Sequence, residues 1–376
     1  MSTLLDPLKI GDLELPNRIL MAPLTRNRST GPGRVPNAMM RDYYAQRASA
    51  GLILSEATSV APAGVGYPHT PGVWSDEQVE GWRNVVEGVH AAGGRIFLQL
   101  WHVGRISDPS YHDGALPVAP SAIAPRGNVS LVRPQRPYVA PRALKTEELE
   151  DVVEAYRHGA RNAKKAGFDG VEVHGANGYL LDQFLQDSAN KRDDGYGGSI
   201  ENRARLLLEV TDAVVSVWGA GRVGVHLAPR GDMHDVGDSN LPATFGHVAR
   251  ELGKRSIAFL CARESTKAPR LGPDLKTAFG GVYIANEGFS RDDAEATIEA
   301  GEADAVAFGK LFIANPDLPR RFSLGAPLNA WNADTFYSEG PVGYTDYPVL
   351  EEKAGGRVER RARAAHGFSC SISMKA

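Results

Sequence analysis

The sequence predicts an α/β fold, a (β/α)8 TIM barrel with an N-terminal hairpin plug and a long loop after the third strand. Eight short, nearly continuous apolar runs recur along 376 residues, and most are followed by a segment of helical periodicity. Such runs are typical of parallel strands that are covered on both faces. They span residues 18–22, 52–57, 95–100, 170–174, 223–227, 257–261, 281–285 and 305–309.

The connecting segments complete this prediction. Helical patterns occupy residues 77–92, 146–166, 200–218 and 291–300. Residues 8–15 indicate a small hairpin that plugs the barrel bottom, and the Pro-, Gly- and Ser-rich residues 103–141 have the length of a lid or binding loop. We expect one barrel domain over residues 1–350 and a basic, mobile tail over residues 351–376.

Composition narrows the class of protein. The apolar fraction of 42% and charged fraction of 23% are ordinary for a globular enzyme, and a formal net charge of −3 disfavours nucleic-acid binding. Two distant cysteines, Cys261 and Cys370, predict neither a disulfide framework nor a metal cluster, so we expect a reducing, cytoplasmic setting. Without a long apolar run or a signal-peptide pattern at residues 1–10, no membrane association is expected.

A glycine pattern that resembles a dinucleotide-binding fingerprint occurs at Gly219, Gly221 and Gly224. It precedes a predicted strand and follows a helix, whereas the fingerprint follows a strand and opens a helix. Helix termination explains these glycines, and we reject a dinucleotide-binding domain.

The end of the fourth strand carries three polar side chains within six residues: His174, Asn177 and Tyr179. Barrel enzymes place their chemistry at the carboxyl ends of the strands. A histidine and an asparagine can both donate to one oxyanion, and a tyrosine hydroxyl can deliver a proton. A single strand-end histidine is more often structural, but the cluster favours catalysis.

Other strand ends offer groups suited to a planar heterocycle and a phosphate. Gln99 and Thr25 can hydrogen-bond a ring, although a polar strand cap and a turn residue are the alternative explanations. Asn286, Gly309 and Lys310 follow strands seven and eight, where barrels commonly bind phosphate. Three aromatic residues are candidate pocket walls, although core packing is the commoner role of any one of them: Tyr67, Trp101 and Tyr344.

Longer segments closely resemble the old yellow enzyme family, in particular its bacterial alkene and nitrate-ester reductases. HGANGYLLDQFL at 174–185 is followed by NKRDDGYGGSIENR at 190–203. The other segments are APLTRNR at 22–28, TPGVWSDEQ at 70–78, QLWHVGR at 99–105, FIANPD at 312–317 and GYTDYP at 343–348. The resemblance is collinear from about residue 5 to residue 350 and does not include the tail.

The resemblance implies an FMN-dependent NAD(P)H oxidoreductase that reduces activated C=C bonds of enones, enals and nitroalkenes by ping-pong hydride transfer. FMN would be bound non-covalently, and NADPH or NADH would be the hydride donor. Nitro compounds or nitrate esters are further implied substrates. Either a monomer or a homodimer is compatible with the sequence.

The resemblance also implies roles for individual residues. Thr25 would hydrogen-bond flavin O4, and Gln99 the N3–O4 edge. The backbone at Pro23, Leu24 and Ala57 would line the ring, and the phosphate would be held by Ala285, Asn286, Gly309 and Lys310. His174 and Asn177 would clamp the substrate oxygen and Tyr179 would donate the proton, within a pocket walled by Tyr67, Trp101 and Tyr344.

Two positions depart from the family pattern. His226 stands where the family usually has an arginine beside flavin N1 and O2, and Lys310 stands where arginine is commoner at the phosphate. Two alternatives therefore stay open. One is a barrel glycosidase that uses Glu56 and Glu172 as paired carboxylates, and the other is a flavin-binding protein that has lost turnover through His226.

Overall fold

The computed structural model describes residues 2–231, 233–267 and 269–351 of the chain. The part of the predicted C-terminal tail from residue 352 onward lies outside the described residues. The described strands are β1 (Leu8–Ile10), β2 (Leu13–Leu15), β3 (Ile19–Met21), β4 (Ile53–Leu54), β5 (Thr58–Ser59), β6 (Ile96–Trp101), β7 (Val118–Ala119), β8 (Arg142–Ala143), β9 (Gly170–Gly175), β10 (Val223–Leu227), β11 (Phe259–Arg263), β12 (Tyr283–Asn286) and β13 (Ala305–Phe308).

Eight parallel strands close into a barrel, which confirms the predicted fold class. Their order is β4-β3-β13-β12-β11-β10-β9-β6, and β4 also pairs with β6, so the sheet returns on itself. All barrel strands are buried apart from Arg263 at the end of β11. This burial explains why each strand appears in the sequence as a continuous apolar run.

Helices surround the barrel and account for the predicted helical patterns. They are α1 (Ala38–Ala45), α2 (Asp76–Ala91), α3 (Leu149–Ala166), α4 (Leu180–Leu185), α5 (Ile200–Trp218), α6 (Leu241–Lys254), α7 (Gly272–Phe279), α8 (Arg291–Glu299), α9 (Lys310–Ala314) and α10 (Leu318–Leu324). Ser75 and Gln78 form a reciprocal cap that starts α2, and Gly167, at a φ of 91°, ends α3. In the described chain, every helix is too short or too polar to cross a membrane.

Three strands differ by two residues or more from a predicted bound: the second, the sixth and the seventh, which begins at Tyr283, two residues later than predicted. The run 52–57 forms only β4 before the chain turns to the short β5. The sixth strand begins at Phe259, two residues later than predicted. It follows Ser256, which has a φ of 52°, and Ala258, whose amide donates to the carbonyls of Ala220 and Val223. The strand extends to Arg263, a polar residue that an apolar pattern does not include.

The predicted N-terminal plug is confirmed. β1 and β2 pair antiparallel, and their residues Ile10 and Leu15 pack in the barrel interior with Phe97 and Phe259. The amide of Asp12 donates to the carbonyl of Gly221 at 3.1 Å. A Cβ on Gly221 would lie 2.5 Å from the Asp12 carboxylate, so close packing against the hairpin requires this glycine.

Gly224 is required inside the barrel for a similar reason. A Cβ there would lie 2.1 Å from the fully buried ring of Phe259.

We expect Gly224→Ala to lower the free energy of unfolding by about 1–3 kcal/mol, because the overpacked ring must leave its position. Urea unfolding measures this change. Gly246→Ala on α6 is the control, since its Cβ has only a guanidinium 3.5 Å away and should not destabilise. Equal stability of the two variants would contradict the packing argument.

The long loop after the third barrel strand covers the carboxyl end of the barrel on one side. It contains β7, which pairs in parallel with β8 directly after the loop. Val129 and Tyr138 from this loop pack in one apolar cluster with Ile106, Trp101 and Tyr67. The loop thus forms part of the wall beside the strand ends, as its length and position predicted.

Candidate active site

Four of the predicted site residues form one aromatic cluster. The Trp101 ring stacks on Tyr67 with centroids 5.6 Å apart and lies nearly parallel to the His174 ring at 6.4 Å. The Tyr179 ring meets Trp101 and His174 edge-on, at 5.0 and 5.1 Å. Residues from the turns and strand ends of β5, β6 and β9 therefore meet at the carboxyl end of the barrel, where barrel enzymes carry their chemistry.

The surroundings of His174 determine which ring nitrogen carries the proton. The backbone amide of Ala176 donates to Nδ1 at 3.3 Å, so Nδ1 is the acceptor and Nε2 bears the hydrogen. Burial, together with the positive potential of His226, Arg263 and His234, holds the pKa of His174 well below its ordinary value. His174 is therefore a neutral imidazole that donates from Nε2.

Asn177 is oriented by Arg263, a residue that the sequence analysis did not identify. The Arg263 guanidinium donates to Oδ1 of Asn177 at 2.8 Å and to the carboxylate of Glu287 at 2.7 Å. Because a guanidinium only donates, the atom that faces it is the amide oxygen, and Nδ2 of Asn177 is left as a donor. Asn177 has a φ of 58°, a conformation that asparagine tolerates better than most residues.

The Tyr179 hydroxyl lies 2.9 Å from the Tyr67 hydroxyl. Burial raises the pKa of Tyr179 above its ordinary value, and the hydrogen bond with Tyr67 offsets part of this rise. Burial and the neighbouring Tyr179 raise the pKa of Tyr67 in the same direction. Both phenols therefore carry their protons at neutral pH, as a proton donor requires.

A polar layer crosses four neighbouring barrel strands below this cluster. Gln99 donates from Nε2 to Glu172 at 2.7 Å, and Oε1 of Glu172 lies 3.3 Å from Nδ1 of His226 without hydrogen-bond alignment. On the other side of the imidazole ring, Nε2 of His226 is 3.9 Å from the thiol of Cys261. Gln99 and His226 were predicted site residues, whereas Glu172 had been considered only for the glycosidase alternative.

Donor atoms of Glu172, His226 and Cys261 lie within 4.8 Å of one another, close enough to consider a metal ion. The imidazole, however, faces the carboxylate with one nitrogen and the thiol with the other, so one ion cannot use both sides of the ring. Burial and the carboxylate of Glu172 also raise the pKa of the Cys261 thiol well above its ordinary value, which disfavours the thiolate that binds metals. We interpret the group as a row of buried polar side chains and not as a metal site.

The predicted cofactor residues of the first, seventh and eighth strands converge. Pro23, Leu24 and Thr25 are half-buried after β3, and a Cβ on Gly309 would lie 3.3 Å from Leu24. On the neighbouring strand β12, Ala285 is buried and Asn286 donates to the carbonyl of Ala307 at 2.8 Å. Lys310 follows Gly309 and is exposed at the start of α9. Ala57 is buried in the apolar cluster of Tyr67 and Trp101.

Tyr344 occupies a different environment from the other predicted wall residues. It is fully buried, stacks face to face on Tyr43 at 4.0 Å and lies under the guanidinium of Arg28 at 4.8 Å. Among the described residues its hydroxyl has no hydrogen-bond partner. The structure therefore places Tyr344 beside the loop that follows β3, and its role as a pocket wall stays a prediction.

Comparison with known proteins agrees with this geometry. Residues 3–329 match the model of the NADH:flavin oxidoreductase / NADH oxidase family. A putative 12-oxophytodienoate reductase 4 of Oryza sativa subsp. japonica is 45% identical over 367 residues, which is 94% of each chain. Among solved structures, morphinone reductase in complex with tetrahydroNAD is 49% identical, with a TM-score of 0.90 over 93% of this chain and 98% of that one. An old yellow enzyme homologue from Zymomonas mobilis is 45% identical, with a TM-score of 0.90 over 93% of this chain and 100% of that one.

The chain belongs to the old yellow enzyme family. As a member of this family it is an FMN-dependent oxidoreductase that uses a nicotinamide nucleotide as hydride donor and acts on C=C bonds. The family membership removes the glycosidase alternative. The contacts agree with this exclusion, because the two carboxylates of that alternative have separate partners. Glu56 accepts from the Tyr44 hydroxyl at 3.2 Å, whereas Glu172 accepts from the amide of Gln99.

The residues at the strand ends fit FMN. Gln99 uses its amide nitrogen on Glu172, so its carbonyl oxygen is left to accept from a ring N–H. Trp101 Nε1, Glu172 Oε1 and His226 Nδ1 are buried polar atoms without hydrogen-bond partners among the described residues, as expected where a polar ligand completes the site. The exposed ammonium of Lys310 suits a phosphate.

Proposed function

We propose that the protein reduces activated C=C bonds of enones, enals and nitroalkenes with NADPH or NADH, by a ping-pong cycle in which both substrates use one site. The observation that carries this proposal is the pair of oriented donors, Nε2 of His174 and Nδ2 of Asn177, beside the protonated hydroxyl of Tyr179. Two donors and one proton source are what reduction of an alkene conjugated to a carbonyl or nitro group needs.

Bound non-covalently, FMN supplies hydride acceptance from the nicotinamide and hydride donation to the alkene. Thr25, Gln99 and His226 would hold its ring over the backbone of Pro23, Leu24 and Ala57. Its phosphate would be held by Ala285, Asn286, Gly309 and Lys310.

The chain's own groups act on the activating oxygen and the α-carbon. His174 and Asn177 hydrogen-bond the carbonyl or nitro oxygen of the substrate, so negative charge that develops there is stabilised without reorganisation. The neutral state of His174 suits this role, because the imidazole then donates a hydrogen bond without surrendering its proton. Tyr179 delivers its hydroxyl proton to the α-carbon, and the walls formed by Tyr67, Trp101 and Tyr344 keep water away from the site.

The purified protein tests this proposal directly. We expect it to be yellow and to release FMN, and not FAD, on denaturation. Anaerobic NADPH or NADH should bleach the visible band, and 2-cyclohexenone should restore it with formation of the saturated ketone. Bleaching without restoration by any enone, enal or nitroalkene would favour the alternative of a flavin protein that has lost turnover. A protein that takes up no flavin on reconstitution would contradict the proposal.

Arg263 provides a second test, since it reaches the proposed substrate clamp through its hydrogen bond to Asn177. We expect Arg263→Met to raise KM for an enone and to lower kcat/KM by about 10- to 100-fold, because the Asn177 amide loses a charge-assisted hydrogen bond that is worth roughly 1.5–3 kcal/mol. Steady-state kinetics with saturating NADPH measures both constants. Glu287→Gln keeps Arg263 in place and serves as the control, with an expected effect of less than about threefold. An unchanged KM in Arg263→Met would show that Asn177 does not depend on Arg263.

A further inference from the structure

The Tyr179 hydroxyl begins a chain of hydrogen bonds that leads away from the substrate side. Its oxygen is 2.9 Å from the Tyr67 hydroxyl, which in turn is 3.3 Å from Nε2 of His234. His234 lies in the loop after β10 and its residue is half-buried, so the chain leads towards solvent. Tyr67 and Tyr179 are 112 residues apart in sequence, and His234 was not among the predicted site residues.

The other ring nitrogen of His234 determines the direction of these hydrogen bonds. Nδ1 is 2.7 Å from the backbone carbonyl oxygen of Asn177, which can only accept, so Nδ1 carries a hydrogen in either charge state. A neutral His234 therefore accepts at Nε2. It then draws the Tyr67 proton towards itself, and the Tyr67 oxygen accepts the proton of Tyr179. In this state the Tyr179 hydroxyl points away from a substrate.

Protonation of His234 reverses the chain. Nε2–H then donates to the Tyr67 oxygen, Tyr67 donates to the Tyr179 oxygen, and the Tyr179 proton is free to point towards the substrate. Tyr67 keeps one donated and one accepted bond in both states, and Tyr179 exchanges a donated bond for an accepted one, so each hydroxyl keeps a partner in the chain.

Backbone contacts hold His234 in place for this role. Its φ is 59°, which is unusual for a residue other than glycine. Arg105 donates to the carbonyl oxygens of His234 and Asp235 at 3.3 and 2.8 Å. A Cβ on Gly178 would lie 2.9 Å from Cβ of His234, so the two loops are packed too closely for any other residue at position 178. Such an over-determined conformation is typical of functional positions.

We propose that Tyr67 and His234 are positioning residues that aim and reload the hydroxyl of Tyr179. The inference rests on the proposed function, because it needs Tyr179 to be the proton donor. In the step, the Tyr179 O–H bond breaks as the α-carbon–hydrogen bond forms. Tyr179 regains a proton from Tyr67, and Tyr67 regains one from Nε2 of His234. His234 becomes neutral and takes up one proton from water, so each turnover consumes one solvent proton.

The groups around His234 decide in which pH range this relay works. Arg105 and Arg263 are the cations that face it, Tyr67 and Tyr179 are neutral phenols, and Asp235 is paired with Arg126. Burial, together with the two arginines, holds the pKa of His234 below its ordinary value, although the bond to Asn177 opposes this shift. Proton delivery should therefore be fastest in mildly acidic solution and should slow as pH rises through that pKa.

The test measures the oxidative half-reaction alone. FMN-loaded protein is reduced beforehand and mixed anaerobically with 2-cyclohexenone, and the rate of flavin reoxidation is followed between about pH 5 and 9. We expect one downward step with rising pH in the wild type. His234→Gln and Tyr67→Phe should both lose that step and react at least about tenfold more slowly at its acidic side. Tyr138→Phe, in the same apolar cluster but outside the chain, should behave like the wild type.

A second measurement does not depend on turnover. In ¹⁵N-histidine-labelled protein, the ring resonances of His234 are identified as those that disappear in His234→Gln. At high pH these resonances should show the Nδ1–H tautomer. The pH at which they titrate should shift in Tyr67→Phe but not in Tyr138→Phe. An Nε2–H tautomer, or a pH step that persists in His234→Gln, would overturn the proposal. If the wild type reduces the enone and Tyr179→Phe is equally fast, the assignment of Tyr179 as donor fails instead, and the relay fails with it.

Discussion

Tyr179→Phe will slow the reoxidation of bound flavin by 2-cyclohexenone by about 10²- to 10⁴-fold, the range expected when a positioned proton donor is lost. Reduction of the flavin by NADPH will change little, because no proton from Tyr179 is needed there. The raised pKa of Tyr179 keeps the hydroxyl protonated across the working range, so the variant removes an acid and not an anion. Anaerobic stopped-flow spectroscopy measures the two half-reactions separately.

The controls for this variant use the same cluster and a different substrate. Tyr138→Phe removes another tyrosine hydroxyl of that cluster and should leave both half-reactions unchanged. With a nitroalkene, Tyr179→Phe should lose less activity, because a nitronate is stable enough to leave without being protonated. If enone reoxidation is as fast in Tyr179→Phe as in the wild type, water or another group is the donor.

His226 will make the midpoint potential of the bound flavin depend more steeply on pH than it does in His226→Arg. The two-electron-reduced flavin carries negative charge at N1, and the family resemblance implies that His226 lies beside that atom. A histidine there can take up a proton together with the electrons, whereas an arginine is already charged. The slope for a two-electron couple is about 30 mV per pH unit with one proton and about 59 mV with two. We expect the steeper slope in a window near neutral pH for the wild type, and the shallower one throughout for His226→Arg.

The surroundings of His226 support this coupling. The imidazole is buried, and Oε1 of Glu172, which can accept a hydrogen bond, lies 3.3 Å from its Nδ1. Redox titration in a spectroelectrochemical cell gives the slope directly. His234→Gln removes a different histidine of the site and should keep the wild-type slope. A slope near the one-proton value from about pH 5 to 9 in the wild type would mean that His226 is not coupled to the flavin. Arg230, the next basic residue after β10, is exposed and is a weaker candidate for that charge.

Most of the fold could be predicted from the sequence because burial leaves a local pattern. All eight barrel strands correspond to apolar runs, since both faces of each strand are covered. The sixth strand was misplaced by two residues because it ends in Arg263, whose polarity reflects its contact with Asn177 and not the burial of the strand. At the end of a barrel strand, burial favours an apolar residue, whereas a functional contact can require a polar one.

The sequence by itself determined the barrel, the family and the residue types at the strand ends, because each of these is recorded in short stretches of chain. Only the tertiary structure decided how those residues are oriented. The Nε2–H tautomer of His174 depends on one backbone amide, the amide of Asn177 depends on Arg263, 86 residues away, and His226 faces Glu172 on the neighbouring strand. Hydrogen bonds across a barrel join groups from different loops and strands, so no local pattern in the sequence records which atoms will meet.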